Sequence, residues 1–236
     1  VPLGEAEFDA TTGIHRRAAD FKVDAIEVIT SGAMQSDIGL LYRDWFALLK
    51  QGHRISAVGS SDSHDVTRFL LGQGRTYVAA PDEDPSLIDL DRVWSGYEEG
   101  RVRVSLGLLA DLRVDGKYGI GDRVANPGAS LKVEAIVSGP SWTRADHIAL
   151  YANGEMLREE TIDDRGRAGE KARVTWEIPR PDKDTFLVVI ATGPGPTASF
   201  WPIPRPYQPT SPVFTPRVIG STNPVWIEVG NDGKAK

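Results

Sequence analysis

The first patterned stretch is Asp24 to Ile29, where Glu27 faces opposite its apolar neighbours in a short predicted strand. Between Asp37 and Gln51, the residues Leu41, Trp45, Leu48 and Leu49 recur at i, i+4, i+7 and i+8. That spacing lays one apolar stripe along a helix, and Gly52 supplies its stop. Ile55-Ser56-Ala57-Val58 predicts a short buried strand that Gly59 and the following serines break. Thr76 to Val78 predicts another. Asp89 to Glu99 predicts a second helix, with Asp89 as its cap, Leu90, Val93, Trp94 and Tyr97 as its apolar stripe, and Gly100 at its end. Val102 to Leu106 is the next strand. Strands alternating with helices predict a parallel α/β arrangement. The opening residues, Val1 to Phe21, read as loop with one short helix near Ile14 to Ala19.

The pattern changes at Asn126-Pro127-Gly128. Beyond it, Leu131, Val133 and Ala135 alternate with Lys132 and Glu134, and Ile148, Leu150 and Ala152 alternate as well. Asn153-Gly154 is a type I′ hairpin signal, and Asp115-Gly116 marks another turn before the boundary. Val174, Trp176 and Ile178 alternate, Phe186 to Ala191 reads as a buried strand, and Val225, Ile227 and Val229 make the last one. Short strands at this spacing predict an all-β sandwich. The chain therefore divides into 1–124, α/β, and 125–236, β-sandwich. Residues 193–216 are rich in proline and glycine and carry Phe200, Trp201 and Tyr207.

Composition narrows the functional classes. The 236 residues are 40% hydrophobic and 25% charged, the balance of a folded domain. A net charge of −6 without a Lys/Arg cluster argues against a nucleic-acid partner. Absence of cysteine excludes disulfides and thiolate metal sites. No apolar run approaches the length of a membrane span, and no signal peptide is visible.

The chemistry concentrates in Gly59-Ser60-Ser61-Asp62-Ser63-His64. In an extended segment, residues i and i+2 point the same way, so Asp62 and His64 would converge just past a strand end. A carboxylate and an imidazole suit zinc, manganese or iron. The same tripeptide also reads as a polar turn with Asp62 capping a helix that starts at Ser63. Glu27 reads either as a neighbour of that site or as an acceptor for the next loop. Arg75 reads either as a clamp for an anionic substrate or as half of a structural ion pair. His53 falls at the opposite end of the strand from Asp62. The acidic turn Asp82-Glu83-Asp84 reads as solvated.

Taken in order, Asp24 to Val28, the helix with Trp45-Phe46-Ala47-Leu48-Leu49, Gly52-His53-Arg54, Ala57 to His64, and Gly74 to Val78 resemble the carboxyl-terminal half of a PHP (polymerase and histidinol phosphatase) metallohydrolase domain. The nearest branch is the CehA/McbA-like one. The resemblance implies part of a distorted (β/α)7 barrel, with Asp62 and His64 as ligands of divalent zinc, manganese or iron. It implies a small-molecule ester or phosphoester as substrate, and a periplasmic or secreted location. The family's early His-x-His motif is absent; the only histidines are His15, His53, His64 and His147. Catalytic zinc normally has three protein ligands, so the expectation is a metal-dependent hydrolase that needs an amino-terminal segment outside this chain. The alternative is a non-catalytic binding module in which Trp201 and Tyr207 on the β-sandwich stack on a sugar or a protein partner.

Overall fold

A computed structural model describes residues 8–9, 11–12, 14–15, 23–30, 37–64, 70–81, 83–203 and 215–230. In chain order the described elements are β1 (Phe8–Asp9), β2 (Ile14–His15), β3 (Ala25–Ile29), α1 (Gly39–Lys50), β4 (Ser56–Gly59), β5 (Gly74–Val78), α2 (Leu90–Glu98), β6 (Val102–Leu106), β7 (Leu109–Val114), β8 (Arg123–Ala125), β9 (Ser130–Gly139), β10 (His147–Ala152), β11 (Glu155–Thr161), β12 (Gly169–Pro179), β13 (Thr185–Pro194), β14 (Arg217–Thr222) and β15 (Val225–Glu228). A 3₁₀ turn at Pro85–Leu87 precedes α2.

Two sheets dominate. The larger has eight strands, with β11-β10-β13-β14-β6-β5 in order and β15 bridging β13 to β8. The smaller is β12-β9-β7. Leu112, Val133, Ala135, Leu150, Val189 and Val218 fill one hydrophobic core and are fully sealed from solvent. Alternation in β9 accounts for its part: Leu131, Val133, Ala135 and Val137 point inward while Lys132 points out. Val28, Ile29, Trp45, Phe46 and Ala57 belong to the same core, so α1, β3 and β4 pack onto the sheets. β5 and β6 lie in one sheet with β10, β13 and β14, and β7 pairs with β9. Both sheets thus contain strands from either side of residues 124–125.

The expected partial (β/α)7 barrel is not what forms. The described residues hold only two α-helices, and the expected parallel alternation survives in one pair, β3 with β4. β5 and β6 flank α2 but run antiparallel, Gly74 opposite Leu106 and Val78 opposite Val102. Periodicity identifies a strand but carries no direction. The partners of β6 come from far along the chain, since Leu106 pairs with Ile219 of β14. The near-continuous burial of β6 therefore serves a mixed sheet and not a barrel wall.

Two local expectations also change. Ile14–His15 is extended and pairs antiparallel with Phe8–Asp9, so the helix expected from Ile14 does not begin there. The carboxylate of Asp9 accepts from the amides of Thr11 and Thr12 and closes that turn. The helix α2 forms, with Asp89 accepting from the Arg92 amide, but its apolar stripe is not core. Leu90 is 75% exposed and Trp94 60%. The buried face is Gly96, where a Cβ would lie 2.7 Å from Val78 Cγ1. Close backbone approach at glycine, not the stripe, sets this helix against β5.

Candidate functional site

The strand β4 is held differently on its two sides. On one side it pairs in parallel with β3, Ala25 to Ser56 and Ile26 to Ala57. On the other, side chains replace the ladder. Thr76 Oγ1 accepts from the Gly59 amide and donates to the Gly59 carbonyl, both at 2.9 Å. The fully buried Asn223 accepts from the Ala57 amide and donates to the carbonyls of Ala57 and Val102. From α1, Trp45 Nε1 donates to the Ile55 carbonyl at 2.8 Å. Buried main-chain polar groups must be paired, and three side chains meet that demand here. They also fix where β4 ends.

The loop after β4 is equally constrained. A Cβ on Gly74 would stand 2.5 Å from the Ser60 carbonyl oxygen, so only glycine lets β5 start beside this loop. The Ser61 hydroxyl, buried, accepts from the Gly72 amide at 3.0 Å and from the Ser63 hydroxyl at 3.1 Å. Gln73 is buried as well; its amide donates to the Pro202 carbonyl, while its Oε1 accepts no bond among the described residues.

On this platform the structure brings Asp62 and His64 together. His64 Nδ1 lies 2.7 Å from the main-chain oxygen of Asp62 and 3.4 Å from its Oδ1. The means is a turn and not an extended segment, because Asp62 has φ 48°, in the left-handed region. A carbonyl oxygen only accepts, so the contact requires a proton on His64 Nδ1. In the neutral ring that leaves the Nε2 lone pair outward, and the imidazole is 73% exposed. Nδ1–H bonded to a carbonyl is the arrangement that orients metal-ligating histidines.

The other expected residues sit around this pair. Glu27, exposed on β3, accepts from the Ser60 hydroxyl at 2.8 Å and so braces the loop. Arg75 lies on β5 and donates to Tyr77 Oη at 3.4 Å, on the same strand face, with no carboxylate partner among the described residues. His53 is at the far end of β4, its amide bonded to the Leu48 carbonyl. His147 lies away from the site, 3.1 Å from Asp146 Oδ1, and Asp146 also holds Arg217. The side chain of His15, Asp82 of the acidic turn and Tyr207 lie outside the described residues.

As a metal centre the pair is incomplete. Among the described residues, no group of three or more His, Asp or Glu side chains gathers. Asp62 and His64 offer two donor groups, short of the three that catalytic zinc normally has. Trp201 does not serve as an exposed stacking surface, because it is buried with its ring over Gly107. The exposed aromatic pair nearby is Trp142 and Phe200, edge to face at 5.7 Å.

Sequence reading missed the braces: Thr76, Asn223 and Gln73. Only the polar residue types within or beside apolar runs hinted at them. No family model, no curated protein and no solved structure matches the chain. Among the described residues no helix is long and apolar enough to cross a membrane.

Proposed function

We propose that the chain serves a metal-dependent hydrolase of esters or phosphoesters, with Asp62 and His64 as two of the metal ligands. The observation that carries this reading is the His64 Nδ1 contact to the Asp62 carbonyl, which in the neutral ring leaves the lone pair on Nε2, with the Asp62 carboxylate 3.4 Å from Nδ1. The ordered motifs of β3, α1 and β4, which resemble the PHP family, support it. A bound zinc, manganese or iron ion would polarise the scissile group and ease ionisation of a bound water.

The residues of the chain do the positioning. The Asp62 carbonyl fixes the tautomer of His64, and the Asp62 carboxylate adds negative charge beside it. Ser61 and Gly74 hold the loop, and Glu27 holds Ser60. Arg75, on the neighbouring strand, offers a cation to an anionic substrate.

The test is metal analysis together with turnover of a chromogenic ester and a chromogenic phosphoester. Asp62→Ala and His64→Ala each lower metal content and turnover together, and His53→Ala lowers neither. Metal retained in full by both site variants overturns the assignment. The second reading, a non-catalytic binding module, has the exposed Trp142–Phe200 pair as its surface. It gains if the unaltered protein holds no metal.

A further inference from the structure

We infer that the exposed apolar face of α2, with the turn leading into it, docks a basic amphipathic helix of a partner protein. Leu87, on that turn, is 76% exposed, and Ile88 beside it is 46% exposed. Leu90 and Trp94 follow one helical turn apart on α2, both open to solvent. These side chains are bare because the helix packs by another face. Gly96 meets Val78 of β5, and the Ser56 hydroxyl donates to the Tyr97 carbonyl. Single apolar residues are ordinary on a surface, but a run of large ones that includes tryptophan marks a contact face.

The charge around this stripe names the partner. Glu83, Asp84, Asp89 and Asp91 are exposed and enter no ion pair among the described residues. Asp84 accepts from the Ser86 amide and Asp89 from the Arg92 amide, contacts that a charged carboxylate makes best. The Ser86 hydroxyl and amide hold the Asp84 carboxyl below its ordinary range. Between residues 83 and 99 the one cation is Arg92, and helical spacing sets it about 200° around the axis from Leu90. Four negative charges therefore border the amino-terminal part of the stripe against one positive charge on the far side. Glu98 continues the acidic row one turn beyond Trp94, in line with Asp91.

That border disfavours the other occupants. A second copy of the chain would set carboxylates against carboxylates, and anionic lipid or nucleic acid would meet the same repulsion. A helix with one apolar face flanked by lysine or arginine covers the stripe and neutralises its border at once.

The experiment titrates the full chain with a fluorescein-labelled amphipathic peptide of leucine and lysine. Anisotropy reads affinity, and the indole N–H resonance of Trp94, assigned by its loss in Trp94→Phe, reads location. Two control peptides separate the forces: one carries glutamate in place of lysine, and the other has the same composition in an order with no apolar face. The lysine peptide binds saturably and shifts the Trp94 signal, and each control binds at least about tenfold more weakly. Leu90→Ser and Trp94→Ser, at exposed positions that the fold does not depend on, each weaken binding by about tenfold, the scale of an interface anchor. Asp91→Asn combined with Glu98→Gln weakens it by about threefold at low salt and leaves it unchanged at high salt. The proposal is overturned if the lysine peptide leaves the Trp94 signal in place, if either control binds as tightly, if both serine variants bind as the unaltered chain does, or if sedimentation shows a dimer that Trp94→Ser dissociates.

Discussion

The imidazole Nδ1 of His64 rests 2.7 Å from the main-chain oxygen of Asp62, so the two candidate ligands are organised by a backbone contact and not by strand pleating. The turn depends on Asp62 at φ 48°, a conformation that Asp and Asn tolerate and β-branched residues do not. Asp62→Asn is therefore expected to keep the fold and the His64 orientation while reducing metal content. Asp62→Val is expected to lose roughly 1–2 kcal/mol of stability as well. Denaturant melts beside metal analysis separate the two effects.

The bracing of β4 makes Thr76 more than a strand residue. Its hydroxyl both accepts from and donates to Gly59. Thr76→Val keeps the shape and removes both bonds, leaving a main-chain amide at a part-buried position without its partner. The expected cost is about 1–3 kcal/mol, read from chemical denaturation. Loss of order at Asp62 and His64, read by their resonances, accompanies it.

Asp44 gives a pH dependence. Its side chain is buried in α1, neither oxygen accepts a hydrogen bond among the described residues, and Arg43 Nη2 stands 3.6 Å away. Burial raises its pKa, against a smaller opposing pull from Arg43. A carboxylate whose folded pKa lies above its unfolded value favours the fold when protonated. Stability is lost as pH rises from the unfolded value, about 3.9, through the raised folded value. Asp44→Asn removes this loss, so its Tm at neutral pH is expected above that of the unaltered chain, with a flatter pH profile.

The pair Lys171–Asp164 is the opposite case. Both side chains are fully buried, 3.1 Å apart. Burial works to raise the Asp164 pKa, yet hydrogen bonds from the amides of Ala145 and Gly166 and from Lys171 hold it below the usual range. The stability it contributes is present above the unfolded value and is lost as pH falls through the lowered one. Lys171→Met strands a buried carboxylate and is expected to cost about 3–5 kcal/mol, measured by denaturation. Adding Asp164→Leu recovers only part, because the Ala145 and Gly166 amides then lack their acceptor.

Local features were legible where one residue type answers one local demand. The stripe Leu41, Trp45, Leu48 and Leu49 is buried, and Gly52 at φ 86° ends that helix. Asn153 and Gly154, at φ 50° and 78°, make the turn between β10 and β11. What failed depended on distant partners. Nothing local to Gly74–Val78 or Val102–Leu106 states that they run antiparallel or that β14 comes between β6 and β13. The stripe on α2 misled because Gly96, not the apolar residues, makes the close contact. At the candidate site, the Asp-x-His spacing pointed to convergence, but the left-handed turn that achieves it and the braces from Thr76 and Asn223 are tertiary.

The most direct test of the metal assignment is paramagnetic line broadening of the histidine ring signals by substoichiometric Mn²⁺. Specific binding at Asp62 and His64 broadens the His64 ring signals first, leaves His53 and His147 sharp, and loses this selectivity in Asp62→Ala. Equal broadening of all the histidines, or none at His64, contradicts the account.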